Sequence, residues 1–162
     1  MEFIKVKNDN DIKVMSDLAT KIVREHYDPI LGKAQNDYML EKFQSPRAIK
    51  EQINGGYSYY FVRENGADIG FTAFYPRNNA MYISKLYLLK EERGKGYSHK
   101  MLDFVADKAR GLGLSAIELN VNRFNSSVDI YKKLGFEIIR QEKIDIGSGY
   151  YMDDYVCRLD LK

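Results

Sequence analysis

The densest chemistry in the chain is Arg93-Gly94-Lys95-Gly96-Tyr97-Ser98, where two glycines alternate with two cations. A loop of this kind, followed at once by a helix, aims several backbone N–H groups at one anion. The first helical turn leaves those groups unpaired and adds partial positive charge. Glycine matters there because a side chain would hold the backbone away from phosphate oxygens. Arg93 and Lys95 bring further charge. The same residues also fit a plain glycine-bearing turn. A nucleoside-triphosphate P-loop is excluded, because Lys95 is followed by Gly96 and not by Ser or Thr. A dinucleotide-binding fingerprint is excluded by the missing third glycine and by the strand before the loop, which closes a meander.

Other reactive chemistry is sparse. The single cysteine, Cys157, rules out an intramolecular disulfide and argues against a cysteine-based zinc site. Two histidines, His26 and His99, do not make a histidine-rich metal site, so no metal is expected. Asp153 and Asp154 fall on opposite sides of a strand and cannot converge on one ion. Each is either a solvated or structural carboxylate or a partner for a cationic amine. The 162 residues carry 25 basic and 23 acidic side chains, a net charge of +2. That balance lacks the concentrated basic face of a nucleic-acid binder. No apolar run approaches the roughly 18 residues that span a bilayer, and the N-terminus lacks a signal-peptide core. The expected compartment is the cytosol, with neither nucleic acid nor membrane as a partner.

The elements that must position these residues read as one domain over 1–162, with no linker or repeat. Phe3, Ile4 and Val6 suggest a first strand. Ile12, Met15, Leu18, Ala19, Ile22 and Val23 recur at helical spacing. Asp9, Asn10 and Asp11 offer N-caps, and Pro29 is expected to end the helix or lie just past its end. Further helices are expected over Ala34–Phe43 and from Pro46, the latter capped by Ser45. Tyr57–Arg63, Ile69–Tyr75 and Ala80–Leu89 read as three antiparallel strands, the first two joined by the hairpin signal Asn65-Gly66. After the glycine loop, Tyr97, Met101, Leu102, Val105, Ala106 and Ala109 mark an amphipathic helix. A strand follows at Ala116–Val121, then a short helix at Phe124–Leu134. The last two strands are Phe136–Ile146 and Tyr150–Leu159. The order is β-α-α-β-β-β-α-β-α-β-β, with about four to five helices. Its central strand–helix–strand unit implies local parallel pairing inside a mostly antiparallel α/β (α+β) sheet of about seven strands.

Three segments in register, Lys85-Leu86-Tyr87-Leu88-Leu89, Arg93–Ser98 and Tyr131-Lys132-Lys133-Leu134-Gly135-Phe136, together resemble the GNAT superfamily of acyl-CoA-dependent N-acetyltransferases. That family has a strand, a loop of the form [Gln/Arg]-x-x-Gly-x-[Gly/Ala], a helix, and later a tyrosine-bearing helix ending in Gly-Phe. The motifs lie between Lys85 and Phe136, and the element order extends the resemblance over nearly the whole chain. Two positions depart from the pattern. Ser98 stands where the loop usually ends in Gly or Ala. Phe124 stands seven residues before the tyrosine, where the family often has Asn, and the nearest Asn is Asn125.

The resemblance implies acetyl-CoA as cosubstrate. Leu86, Tyr87 and Leu88 would hold the pantetheine arm through their backbone, and Arg93, Gly94, Lys95, Gly96, Tyr97 and Ser98 the pyrophosphate. Asn125 and Ser127 would also face the cofactor. Tyr131 matches the family tyrosine that points at the thioester sulfur; a phenol of pKa about 10 suits a leaving thiolate. An alternative is that Tyr131 only packs under Phe136. No carboxylate lies in Met81–Leu88, where some members carry a base. Glu118 alternates with Ile117 and Leu119, so it is either a base near the substrate or a solvated strand residue. Glu25, His26 and Tyr38 lie in the helical region that often covers the acceptor, and His26 also fits a partly buried helix end. The tail from Asp145 to Tyr155 resembles bacterial spermidine/spermine acetyltransferase-like members. The expected activity is direct transfer of acetyl to a primary amine of a small molecule, such as a polyamine. The competing readings are a non-catalytic acyl-CoA sensor, an acetyltransferase for a protein or peptide amine, and an interaction domain with a vestigial loop. A homodimer is expected by analogy with the family.

Overall fold

The computed structural model describes residues 1–161. The strands are β1 (Glu2–Lys5), β2 (Ser58–Glu64), β3 (Ala67–Arg77), β4 (Ala80–Leu88), β5 (Ala116–Asn122), β6 (Glu137–Gly147) and β7 (Tyr150–Asp160). The helices are α1 (Asp9–Leu31), α2 (Lys33–Phe43), α3 (Pro46–Asn54), α4 (Tyr97–Gly111) and α5 (Ser127–Lys133), with a 3-10 turn at Lys90–Glu92. The strands form one sheet in the order β1-β2-β3-β4-β5-β7-β6. β4 and β5 run parallel, while β1/β2, β2/β3, β5/β7 and β6/β7 are antiparallel. The parallel pair is the one that the crossover through α4 requires.

Local signals decide most boundaries. Asn65 (φ 52°) and Gly66 (φ 80°) both adopt the left-handed backbone of a tight hairpin between β2 and β3. The Ser45 hydroxyl accepts from the Ala48 N–H at 3.2 Å and starts α3, with Pro46 at its first turn. At α1 two expectations shift. The cap is Asn8, whose Oδ1 accepts from the Asp11 N–H at 2.8 Å, one residue before the expected trio. The helix also runs through Pro29 to Leu31. Proline lacks the N–H that would bond back one turn and its ring crowds that turn, yet the helix continues for two further residues. The stop comes instead from Gly32 (φ 83°), whose N–H bonds the Asp28 carbonyl at 3.0 Å. The helix expected from Phe124 starts later. Asn122 and Asn125 side chains take the N–H groups of Phe124 and Ser127 and hold that segment in turns.

The chain divides into two compact units, Met1–Tyr75 with Lys85–Met101, and Pro76–Ser84 with the residues from Leu102 on. In the first unit, Ile12, Met15, Ala19 and Ile22 of α1 and Ile49 of α3 cluster with Tyr59, Phe61, Phe71 and Ala73 of β2 and β3. A second cluster joins Val62, Ile69, Leu88 and Met101, with Leu86 and Tyr97 against it. Each large apolar side chain buried this way is worth about 1.5–3 kcal/mol. Gly70 in β3 fixes the approach of β4. A Cβ there would lie 2.3 Å from the Tyr87 carbonyl oxygen and 3.0 Å from the Leu88 side chain, so only glycine lets the strands come this close.

In the second unit, Leu102, Val105, Ala106 and Ala109 of α4 are buried at helical spacing, as are Ile117, Leu119 and Val121 at strand spacing. The β4–β5 register runs from Ala80–Ala116 to Ile83–Leu119, whereas β5 pairs with β7 as far as Asn122–Asp154. β6 is the edge strand and is largely exposed.

Candidate active site

In the first unit, β4 leads through the 3-10 turn into the Arg93–Ser98 loop. Gly94 (φ 78°) and Gly96 (φ 80°) both have left-handed backbone, and a Cβ at either would meet nothing within 4 Å. The loop therefore needs glycine for its backbone shape, and the space beside both glycines is open to a ligand. The Arg93 guanidinium donates to the Leu88 carbonyl at 3.4 Å, which turns it back toward the end of β4. Lys95 pairs with Glu92 at 3.1 Å, and this hydrogen bond and charge raise its pKa. Tyr97 begins α4 and packs with Leu88 and Met101; Ser98 is half-buried in the first turn. Leu86 and Leu88 point into that same cluster. Tyr87 turns to the other, its ring 5.3 Å from Phe71 and 6.2 Å from Tyr27.

The expected acceptor residues lie in α1 and α2. Glu25 is exposed, and His26 is half-buried with its ring edge-on to Tyr27 at 4.8 Å. Tyr38 is half-buried, with the Lys42 ammonium 5.8 Å from its ring. α2 also carries a buried amide, Asn36, which donates to Asp28 Oδ1 at 2.7 Å and to the Val23 carbonyl at 3.3 Å.

β4 holds a group that the apolar look of its sequence hid. Lys85 is 4% exposed. Its Nζ donates to the Phe43 carbonyl at 2.7 Å and to Gln52 Oε1 at 3.0 Å, and it makes a short contact with the Tyr59 hydroxyl. No carboxylate is among its described partners, so burial pulls the ammonium well below its ordinary pKa. The one sequence signal was a lysine inside the strand run Ile83–Leu89.

In the second unit, Tyr131 lies on α5 with its ring 5.6 Å from Phe136, edge to face. The Phe136 N–H bonds the Tyr131 carbonyl at 3.0 Å, and Gly135 (φ 98°) makes the turn. Asn125 is buried, and its Oδ1 accepts from the Ser127 N–H at 2.8 Å, so both residues shape the start of α5. Glu118 has both oxygens in ion pairs, with Arg158 at 2.6 Å and Arg77 at 3.7 Å. Arg77 also stacks on Tyr82, 3.8 Å from its centroid. Farther along β5, Asn120 Oδ1 accepts from the Tyr82 hydroxyl at 3.0 Å. Its Nδ2 donates to Asp154 at 3.3 Å and Glu142 at 3.4 Å. Asp154 is 2% exposed, and burial raises its carboxyl to about 6, reinforced by the nearby charges of Glu142 and Asp153. Among the described residues, no three His, Cys, Asp or Glu side chains are arranged to hold a metal ion. No described helix is long and apolar enough to cross a membrane.

Comparison with known proteins agrees with this arrangement. The family profile described as Acetyltransferase (GNAT) domain matches residues 27–151. No curated protein sequence matches. Among solved structures, the PaiA N-acetyltransferase of Thermoplasma acidophilum, in complex with coenzyme A, superposes with a TM-score of 0.77. It is 18% identical, over 99% of this chain and 100% of that one. The ribosomal-protein-alanine N-acetyltransferase of Brucella melitensis gives a TM-score of 0.68 at 14% identity, covering 99% and 100%. A GNAT family acetyltransferase from Elizabethkingia anophelis with acetyl-CoA bound gives 0.60 at 16%, covering 86% and 88%. At such identities the likeness is one of fold. The profile spans most of the chain, and it includes β4, the glycine loop, α4 and the Tyr131–Phe136 segment whose geometry is given above. By that match the protein belongs to the GNAT family of acetyltransferases.

Proposed function

We propose that the protein transfers an acetyl group from acetyl-CoA directly to a primary amine of a small molecule. The observation that carries this reading is the loop before α4. Two left-handed glycines with open space beside them, flanked by Arg93 and Lys95, precede a helix of 15 residues. Loop N–H groups and helix polarity together suit a pyrophosphate. In this reading Arg93–Ser98 bind the pyrophosphate of the cosubstrate, and the backbone of Leu86–Leu88 aligns its pantetheine arm. Asn125 and Ser127 serve through the start of α5.

The cosubstrate supplies an activated thioester carbonyl. A neutral amine attacks it, a C–N bond forms, the C–S bond breaks, and the amine loses a proton while the thiolate gains one. Tyr131 is the donor for the thiolate. An ordinary phenol and an ordinary thiol are of similar acidity, so such a transfer is close to balanced. Glu25, His26 and Tyr38 are the residues that meet the acceptor. A carboxylate together with aromatic side chains suits a cationic amine, polyamines included.

The test is thiol release from acetyl-CoA over a panel of polyamines, amino acids and N-terminal peptides, with coenzyme A binding measured in parallel. Turnover with small amines supports the reading. Turnover with peptides alone moves the acceptor to proteins. Coenzyme A binding without turnover makes the domain a sensor.

A further inference from the structure

We propose that Lys85 is a positioning residue for the acceptor amine, acting through α2. The inference rests on the acetyl-transfer reading, in which β4 aligns the pantetheine arm and His26 and Tyr38 meet the amine. All of these residues belong to the first compact unit.

α2 has little apolar anchorage of its own. Only Asn36 and Leu40 among its side chains are buried. Polar bonds near its two ends therefore decide where it lies. Toward the N-terminal end, Asn36 Nδ2 donates to Asp28 Oδ1 at 2.7 Å and to the Val23 carbonyl at 3.3 Å, both on α1. At the C-terminal end, the Phe43 carbonyl accepts from Lys85 Nζ at 2.7 Å. Tyr38 lies between these ties and less than two turns from Phe43, so a shift of the helix end carries Tyr38 with it.

The alternation along β4 makes it a suitable anchor. Leu86 and Leu88 join the cluster around Met101, whereas Lys85 and Tyr87 turn to the helices. Tyr87 packs 6.2 Å from Tyr27, whose ring meets that of His26 at 4.8 Å. The two residues flanking Leu86 thus reach both helices that carry the acceptor residues, α1 through Tyr87 and α2 through Lys85.

An apolar side chain could fill the volume of Lys85, but it could not fix a helix end along its axis. An ammonium can, because the last carbonyls of a helix lack partners within it and carry partial negative charge. Each N–H of Lys85 has an acceptor: the Phe43 carbonyl, Gln52 Oε1 at 3.0 Å and the Tyr59 hydroxyl. The other donors at this junction act elsewhere. Gln52 Nε2 ties Phe43 to α3 at 3.0 Å, and Ser16 Oγ ties the Gln44 carbonyl to α1 at 2.7 Å. Neither joins α2 to β4.

Lys85→Met keeps most of the stem and removes the tie. Its kcat/KM for the amine is expected to fall at least roughly tenfold, since a misplacement of about 1 Å can cost on the order of a hundredfold. The KM for acetyl-CoA stays unchanged. Amide hydrogen exchange quickens in α2 and remains as in wild type in α4. A lysine that serves the fold alone would lower the denaturant midpoint and leave the acceptor constants where they were. That result overturns the inference, as does unaltered exchange in α2, and both leave acetyl transfer standing. Should Lys85→Met not fold, Lys85→Gln takes its place under the same outcomes, because its amide keeps a polar donor in the core but is one bond too short for the Phe43 carbonyl. Wild-type protein that turns over no amine sinks the acetyl-transfer reading and this inference with it.

Discussion

Lys85 Nζ lies 2.7 Å from the carbonyl oxygen of Phe43, so a side chain of β4 holds the last residue of α2. The same carbonyl accepts from Gln52 Nε2 at 3.0 Å, and the Tyr59 hydroxyl donates to Gln52 Oε1. Removing the lysine therefore leaves every one of its partners with another bond.

Lys85→Met is expected to fold, and its stability should respond to pH differently from wild type. Burial lowers the folded-state pKa of Lys85 below 10.5. Between the two values the unfolded chain binds more protons, so wild-type stability rises with pH in that window and is full above 10.5. The variant lacks this dependence. Denaturant melts of both proteins from pH 7 to 10 measure the difference. Parallel curves would mean that the lysine stays charged when buried.

Gly96→Val tests the phosphate loop. A branched residue at φ 80° costs about 1–2 kcal/mol in backbone strain, but the absence of any atom within 4 Å of a Cβ leaves no clash with the protein. A folded variant with coenzyme A affinity down by more than about tenfold (1.4 kcal/mol) is expected from calorimetry. Undiminished affinity would take the loop out of the binding site.

Tyr131→Phe retains the edge-to-face packing on Phe136 and deletes only the hydroxyl. The expected outcome is a kcat lower by about tenfold or more, with coenzyme A affinity nearly constant. Affinity loss at constant kcat would assign Tyr131 to binding instead.

Glu25→Gln and His26→Gln should each raise the acceptor's KM severalfold, with the larger effect on dicationic amines. Steady-state kinetics with a monoamine and a polyamine in parallel reads this. Unaltered constants in both variants would leave α1 a purely structural helix.

Signals carried by adjacent residues were legible in the sequence. Asn65-Gly66 needs no partner beyond its own hairpin, and Ser45 caps α3 by accepting from an N–H three residues on. The crossover through α4 dictated the parallel β4–β5 pair. Pro29 misled, because a proline weakens the turn before it without ending the helix at once, and the stop comes three residues later at Gly32. The polar interior was not legible, since its partners are remote in the chain. Lys85 meets Phe43 across 42 positions, and Asn120 meets Asp154 across 34. Alternation along β5 marked Glu118 as leaving the core face, but it carried no information about Arg77 and Arg158, which claim its oxygens.

Neither of the two compact units is a continuous stretch of chain, since each borrows a segment from beyond the other's first boundary. During synthesis, the first 75 residues emerge before Leu88 and Met101, which complete the cluster around Val62 and Ile69. An early fragment thus carries an exposed apolar face until α4 has left the ribosome. The second unit likewise waits for residues past Leu102 to join Pro76–Ser84. A break anywhere between β3 and α4 leaves neither fragment with a whole unit, so truncations of this chain placed there are expected not to fold.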